Sequence, residues 1–115
     1  MELPIFQVDA FTNSQFKGNP AAVVILEKKI PAALMQEIAF ENNLSETAFV
    51  DISKIPFEIR WFTPTIEVDL CGHATLASAK VLFDYYPQIV DEVIEFNCLE
   101  HGALIAKKTD DKIFL

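Results

Sequence analysis

Apolar and polar positions alternate from Leu3 to Phe11, with Phe6, Val8 and Ala10 on one side and Ile5, Gln7 and Asp9 on the other. A period of two is the pattern of a half-buried strand. Thr12 to Pro20 interrupts it with Asn13, Ser14, Gly18, Asn19 and Pro20. These residues favour turns through φ freedom, local side-chain hydrogen bonding or a fixed φ, so a loop is predicted there. Ala21 to Leu26 is an unbroken apolar run, too short for a helix and bounded by Pro20 and the charged Glu27-Lys28-Lys29. It reads as a strand buried on both faces, and the charged trio as a solvated turn.

Helical spacing follows. Pro31 suits a first helical turn, and Leu34, Met35, Ile38 and Ala39 recur at three and four residues up to Asn42-Asn43, where either Asn can take a left-handed cap. The pattern predicts an amphipathic outer helix over about 31–43. Thr47 to Ile52 is β-branched and aromatic, with Glu46 at its entrance. Phe57, Ile59 and Trp61 alternate with Glu58, Arg60 and Phe62, so a strand pair is expected around a turn at 53–56. Thr63-Pro64 closes the second strand, and a turn and short strand lead on to Cys71-Gly72-His73. Helical spacing resumes from Ala74 to Tyr86, and its first six residues carry no charge. Those residues are mostly small, which predicts a central helix enclosed by neighbouring backbone, starting near residue 73. Asp91 to Asn97 and Gly102 to Lys107 are further strands joined through Cys98-Leu99-Glu100-His101, and Lys112 to Leu115 opens another. The apolar finish suggests that a strand or second domain continues, since domains usually end on polar tails.

At 115 residues the expectation is a single domain, and with 51% hydrophobic and 23% charged residues it is globular in composition. The net charge of −8 argues against nucleic acid and anionic membrane as partners, both of which need a basic face. No secretory signal pattern opens the chain and no apolar run has the length of a membrane span, so the cytoplasm is the expected compartment. Cys71 and Cys98 are too few for a disulfide framework and lack the C-x-x-C spacing of zinc or redox motifs. Cys98 and His101 have no second pair of ligands to complete a metal site, so Cys98 reads as a structural thiol.

Two places carry candidate chemistry. Glu46 sits among Leu44, Ala48 and Phe49, and an apolar wall disfavours a carboxylate's charge, the property a general acid/base needs. The alternative is a solvated glutamate at a strand edge. Cys71-Gly72-His73 stands at a helix start, where up to four backbone N–H groups lack intrahelical partners and a partial positive charge gathers. Such a start offers a thiolate base, a histidine donor or proton shuttle, and N–H groups for a substrate carboxylate. It can equally be a glycine-containing turn with an inert cysteine and a capping histidine.

Six blocks in order closely resemble the PhzF-like phenazine-biosynthesis family: Asp9-Ala10-Phe11-Thr12, Phe16 to Val23 with Gly18-Asn19-Pro20, Met35 to Ala39, Asn43-Leu44-Ser45-Glu46-Thr47-Ala48-Phe49-Val50, Arg60-Trp61-Phe62-Thr63-Pro64, and Glu67 to Thr75 with Cys71-Gly72-His73. The resemblance implies an α+β, diaminopimelate epimerase-like domain: a curved, mostly antiparallel sheet or barrel around a central helix (about 73–86), with an outer helix (about 31–43). It implies that residues 1–115 correspond to the N-terminal domain of a two-domain protein whose catalytic cleft lies between the domains. It further implies Glu46 as general acid/base in a cofactor-free isomerisation of a small anionic metabolite, with Gly72 and His73 as substrate contacts and no metal. Cys71 stands where epimerase relatives use a catalytic cysteine and has at most a minor role.

The second half of such an active site has no counterpart in these 115 residues. A homodimer, or association with a separate second-domain partner, is the expected way to complete the cleft. Two other functions stay open: an amino-acid racemase or epimerase using Cys71, and a non-catalytic orphan or truncated domain that acts in binding.

Overall fold

The computed structural model describes residues 3–8, 20–110 and 112–115. The predicted loop over Thr12–Asn19, with Gly18 and Asn19, and the strand end at Asp9–Phe11 lie outside the described residues.

The first strand, β1 (Ile5–Val8), pairs antiparallel with β2 (Ala21–Leu26). From β2 the chain crosses through helix α1 (Ala32–Asn42) to β3 (Glu46–Asp51), which lies parallel to β2. Sheet and helix cover β2 on both faces, so every residue in it is buried. This accounts for its unbroken apolar run. Pro31 is the N-cap of α1 rather than its first helical residue, with extended φ −64° and ψ 149°. Asn43 closes the helix in the left-handed region (φ 53°), its N–H donating to the Ala39 carbonyl at 3.2 Å.

A turn leads from β3 to β4 (Phe57–Phe62), which runs antiparallel to it. Asp51 Oδ1 organises that turn by accepting from the Ser53 N–H at 2.9 Å. The far edge of β4 is shared. Short β5 (Glu67–Val68) pairs with its Trp61-Phe62 end, and β6 (Val93–Cys98) pairs in parallel with its Phe57-Glu58 end. Between them the chain makes helix α2 (Gly72–Tyr85). Antiparallel β7 (Gly102–Thr109) and β8 (Lys112–Phe114) complete the order β1-β2-β3-β4-β6-β7-β8. Two parallel pairs stand among otherwise antiparallel ones. Strands β2 and β3 near one end of this order, and β8 at the other, all touch α2, so the sheet curls around that helix.

Alternation sorts the side chains into two cores. Ala21, Val23, Ile25, Ala48, Val50, Ile59 and Trp61 face α2, while Val24, Leu26, Phe49 and Phe62 face α1. Phe49 and Phe62 meet edge-to-face at 5.4 Å under the outer helix. Ala74, Ala77 and Ala79 are fully buried, and small side chains there let strand backbones come close. The enclosure predicted for α2 holds over this first stretch. Further along, Lys80 and Asp84 form an exposed pair at 3.0 Å, so a narrow stripe of the helix meets solvent. Among the described residues no helix is long and apolar enough to cross a membrane.

Candidate functional site

Glu46 opens β3 in register with Ala21, and its even number gives it the face of Ala48 and Val50, which look onto α2. The strand is interior, flanked by β2 and β4, and Glu46 is half-buried rather than a solvated edge residue. Its Oε2 is shielded from solvent and finds no hydrogen-bond partner among the described residues. A buried polar oxygen without a partner costs about 1–3 kcal/mol, more when charged. Structure alone gives no reason to carry that cost.

The start of α2 lies beside this carboxylate. One ligand atom each from Glu46, Cys71 and His73 lies within 4.8 Å of the others. Cys71 and His73 stand 25 and 27 positions after Glu46 in sequence, and the β3–β4–β5 path brings them together. Cys71 is the N-cap, in the extended conformation usual there (φ −144°, ψ 98°), but it makes no side-chain capping hydrogen bond. The helical ladder opens with the Thr75 N–H donating to the Cys71 carbonyl at 3.0 Å. The positive end of the helix dipole therefore points into the space beside Glu46.

Burial pushes the Cys71 thiol above the ordinary cysteine value, and the charge of Glu46 pushes in the same direction. The backbone N–H groups of Ala74 and His73 pull the other way, though neither completes a capping bond to the sulfur. Cys71 is thereby held as the neutral thiol at neutral pH. Its alkylation by iodoacetamide is expected to lag behind that of a small free thiol at neutral pH and to catch up only above the ordinary cysteine range, as read by mass spectrometry across a pH series. Equal rates at every pH would contradict this environment.

Gly72 is exposed, and among the described residues a Cβ built on it would meet only Leu115 Cδ1, at an ordinary 3.7 Å. Packing among the described residues does not demand glycine there. Cys98 is buried in the α2 core and His101 is exposed in the β6–β7 turn, so neither approaches the Glu46 group.

One supporting contact had only a faint signal in the sequence. Trp61 Nε1 donates to Thr75 Oγ1 at 3.0 Å, and Thr75 Oγ1 donates to the Cys71 carbonyl at 2.8 Å. Both side chains are buried. This relay ties β4 to the first turn of α2 and so fixes where Cys71 and His73 stand. A hydroxyl in a run of alanines on an enclosed helix was the available clue, because a buried polar group needs a partner. Arg60 grips Glu67 through two 2.7 Å bonds and holds β5 on β4 just ahead of the site.

The family model described as "Phenazine biosynthesis-like protein" (PhzC-PhzF) matches residues 8–113. An uncharacterized isomerase of Pseudomonas aeruginosa is 50% identical over 115 residues, covering 100% of this chain and 43% of the relative. Among solved structures, a PhzF-family phenazine biosynthesis protein of Enterococcus faecalis superposes with TM-score 0.86 at 53% identity, covering 96% of this chain and 42% of that one. A predicted epimerase of Pseudomonas aeruginosa, at 23% identity and TM-score 0.71 over 97% of this chain and 41% of its own, shares the fold. The chain spans about two fifths of the length of these relatives. With a curled α+β sheet around a central helix and a match along nearly its whole length, the chain belongs to the PhzC-PhzF family of phenazine biosynthesis-like proteins, whose curated relatives include isomerases.

Proposed function

We propose that this chain forms one wall of the cleft of a cofactor-free isomerase that moves a proton between carbon positions of a small anionic metabolite. The observation that carries the reading is the shielded oxygen of Glu46, without a hydrogen-bond partner among the described residues, beside the start of α2, where Cys71 makes no side-chain capping bond. In this reading the Glu46 carboxylate takes a proton from a carbon activated by neighbouring unsaturation or a carboxyl group. The electron pair of the broken C–H bond spreads onto that system, the double bond shifts, and the Glu46 carboxyl returns the proton at another carbon. Nothing is oxidised or reduced. Gly72 and His73 contact the substrate, and the dipole at the helix start stabilises its anionic part. Cys71, held protonated, is a poor base and takes a minor role at most.

The other wall comes from a second domain or a second copy of the chain. Leu70 at 49% exposure and Leu115 at 55% flank the helix start, an apolar rim that a partner would cover. Sedimentation at rising concentration is expected to show self-association of the 115-residue chain, and a strictly monomeric chain would leave only a separate second domain to complete the cleft. The function itself is tested in deuterated water with a panel of small unsaturated carboxylates. Deuterium appearing at carbon in at least one of them, read by NMR, is the expected result. No incorporation by the chain joined to its second domain would overturn the proposal.

A further inference from the structure

We propose that Glu46, Cys71 and His73 capture a thiophilic divalent cation, Zn²⁺ above all, in the mouth of the candidate site. The three offer one oxygen, one sulfur and one nitrogen donor, all within 4.8 Å of one another. Around a tetrahedral zinc such donors stand about 3.5 Å apart, given metal–ligand lengths of about 2.0–2.3 Å. Closing the trio from separations of up to 4.8 Å therefore takes about an ångström of movement. Three protein donors with a fourth position left open is the usual arrangement of accessible zinc sites. The mixed set is too soft for magnesium or calcium, which take oxygen donors.

Three further features favour capture. Glu46 Oε2 lacks a partner among the described residues and would gain one. All three residues are half-buried, so the ion has a route in while the site still excludes part of its water. The donors sit at the starts of β3 and α2; β3 is paired to β4, and β4 is tied to α2 through Trp61 and Thr75, so little ordering is needed on binding. On binding, the Cys71 S–H bond breaks, the sulfur keeps its electron pair and bonds to zinc, and the proton goes to solvent. Affinity accordingly rises with pH. Because the same carboxylate is the acid/base of the proposed isomerase, bound zinc would block proton transfer. That consequence alone rests on the proposed function.

The test uses the whole chain, with Zn²⁺ for affinity and Co²⁺ as the spectroscopic probe. Equilibrium dialysis is expected to give a single ion per chain, Co²⁺ a thiolate charge-transfer band in the near ultraviolet, and Zn²⁺ protection of Cys71 from iodoacetamide. Cys71→Ser should remove the band and weaken Zn²⁺ binding by about a hundredfold, while His101→Asn changes neither. The protection measurement needs no variant, so it decides even if a substitution impairs folding. Zn²⁺ binding untouched by Cys71→Ser, or Cys71 alkylated equally fast with saturating Zn²⁺, would overturn the proposal. Both readouts require no turnover, so they stand apart from any failure of the isomerase reading.

Discussion

Glu46→Gln is expected to lower proton exchange at carbon by about 10²–10⁴-fold while leaving the protein folded. The amide has nearly the shape of the carboxyl group, so the β3 register with Ala21 and the contacts to the α2 core are preserved. What disappears is the capacity to take a proton. Glu46→Asp separates identity from position: it keeps the carboxyl and withdraws it by one methylene, and a displacement of about 1 Å costs on the order of 10²-fold. A second readout needs no substrate. The charge of Glu46 contributes to pushing the Cys71 thiol up, so Glu46→Gln should make Cys71 alkylate faster at a given pH by lowering the thiol back towards its ordinary value. Faster labelling with unchanged exchange would show that Glu46 stands where the structure puts it yet is not the base. Unchanged labelling would show that the Glu46 charge does not reach the Cys71 thiol.

Most of the architecture was legible from local pattern because burial imposes it locally. The unbroken run Ala21–Leu26 announced a strand covered on both faces, and the small residues after His73 announced an enclosed central helix, while the curved sheet around it came from the family resemblance. Boundaries moved by a residue or two. Strand β3 begins at Glu46 and not Thr47, β6 covers Val93–Cys98 and not Asp91–Asn97, and Pro31 caps its helix from outside. The parallel pairing of β4 with β6 carried no local sign, since it depends on how β5 and α2 are accommodated between them. The site was harder to read. No spacing rule links Glu46 to His73, and their approach comes from the pairing of β3 with β4 and of β4 with β5. Family resemblance had pointed to the same residues, and the geometry adds what it did not contain: an unpartnered carboxylate oxygen and a helix start left uncapped. The Trp61–Thr75 relay escaped notice because its two ends belong to different elements, each unremarkable alone.

That relay leads to the largest stability effect expected. Trp61→Ala removes a side chain that is 2% exposed at the centre of the α2 core, and such truncations cost about 3–5 kcal/mol. A domain of this length is stable by roughly 5–15 kcal/mol, so at the lower end the variant would be substantially unfolded at ambient temperature. Thr75→Val keeps the volume while the Trp61 N–H loses its acceptor in a buried setting, at about 1–3 kcal/mol. In a Trp61→Phe background there is no N–H left to orphan. The Thr75→Val penalty should therefore shrink there, with a coupling of about 0.5–3 kcal/mol in urea unfolding. Additive losses would mean that the 3.0 Å contact contributes nothing beyond packing. The valine variant also loses the donation from Thr75 Oγ1 to the Cys71 carbonyl, so the helix start beside Glu46 is less firmly held. Proton exchange should then fall even at temperatures where Thr75→Val is fully folded, because a group displaced by an ångström from its working position already loses about 10²-fold. Full exchange activity in the folded valine variant would confine the relay to stability and leave the placement of His73 to the strand contacts around it.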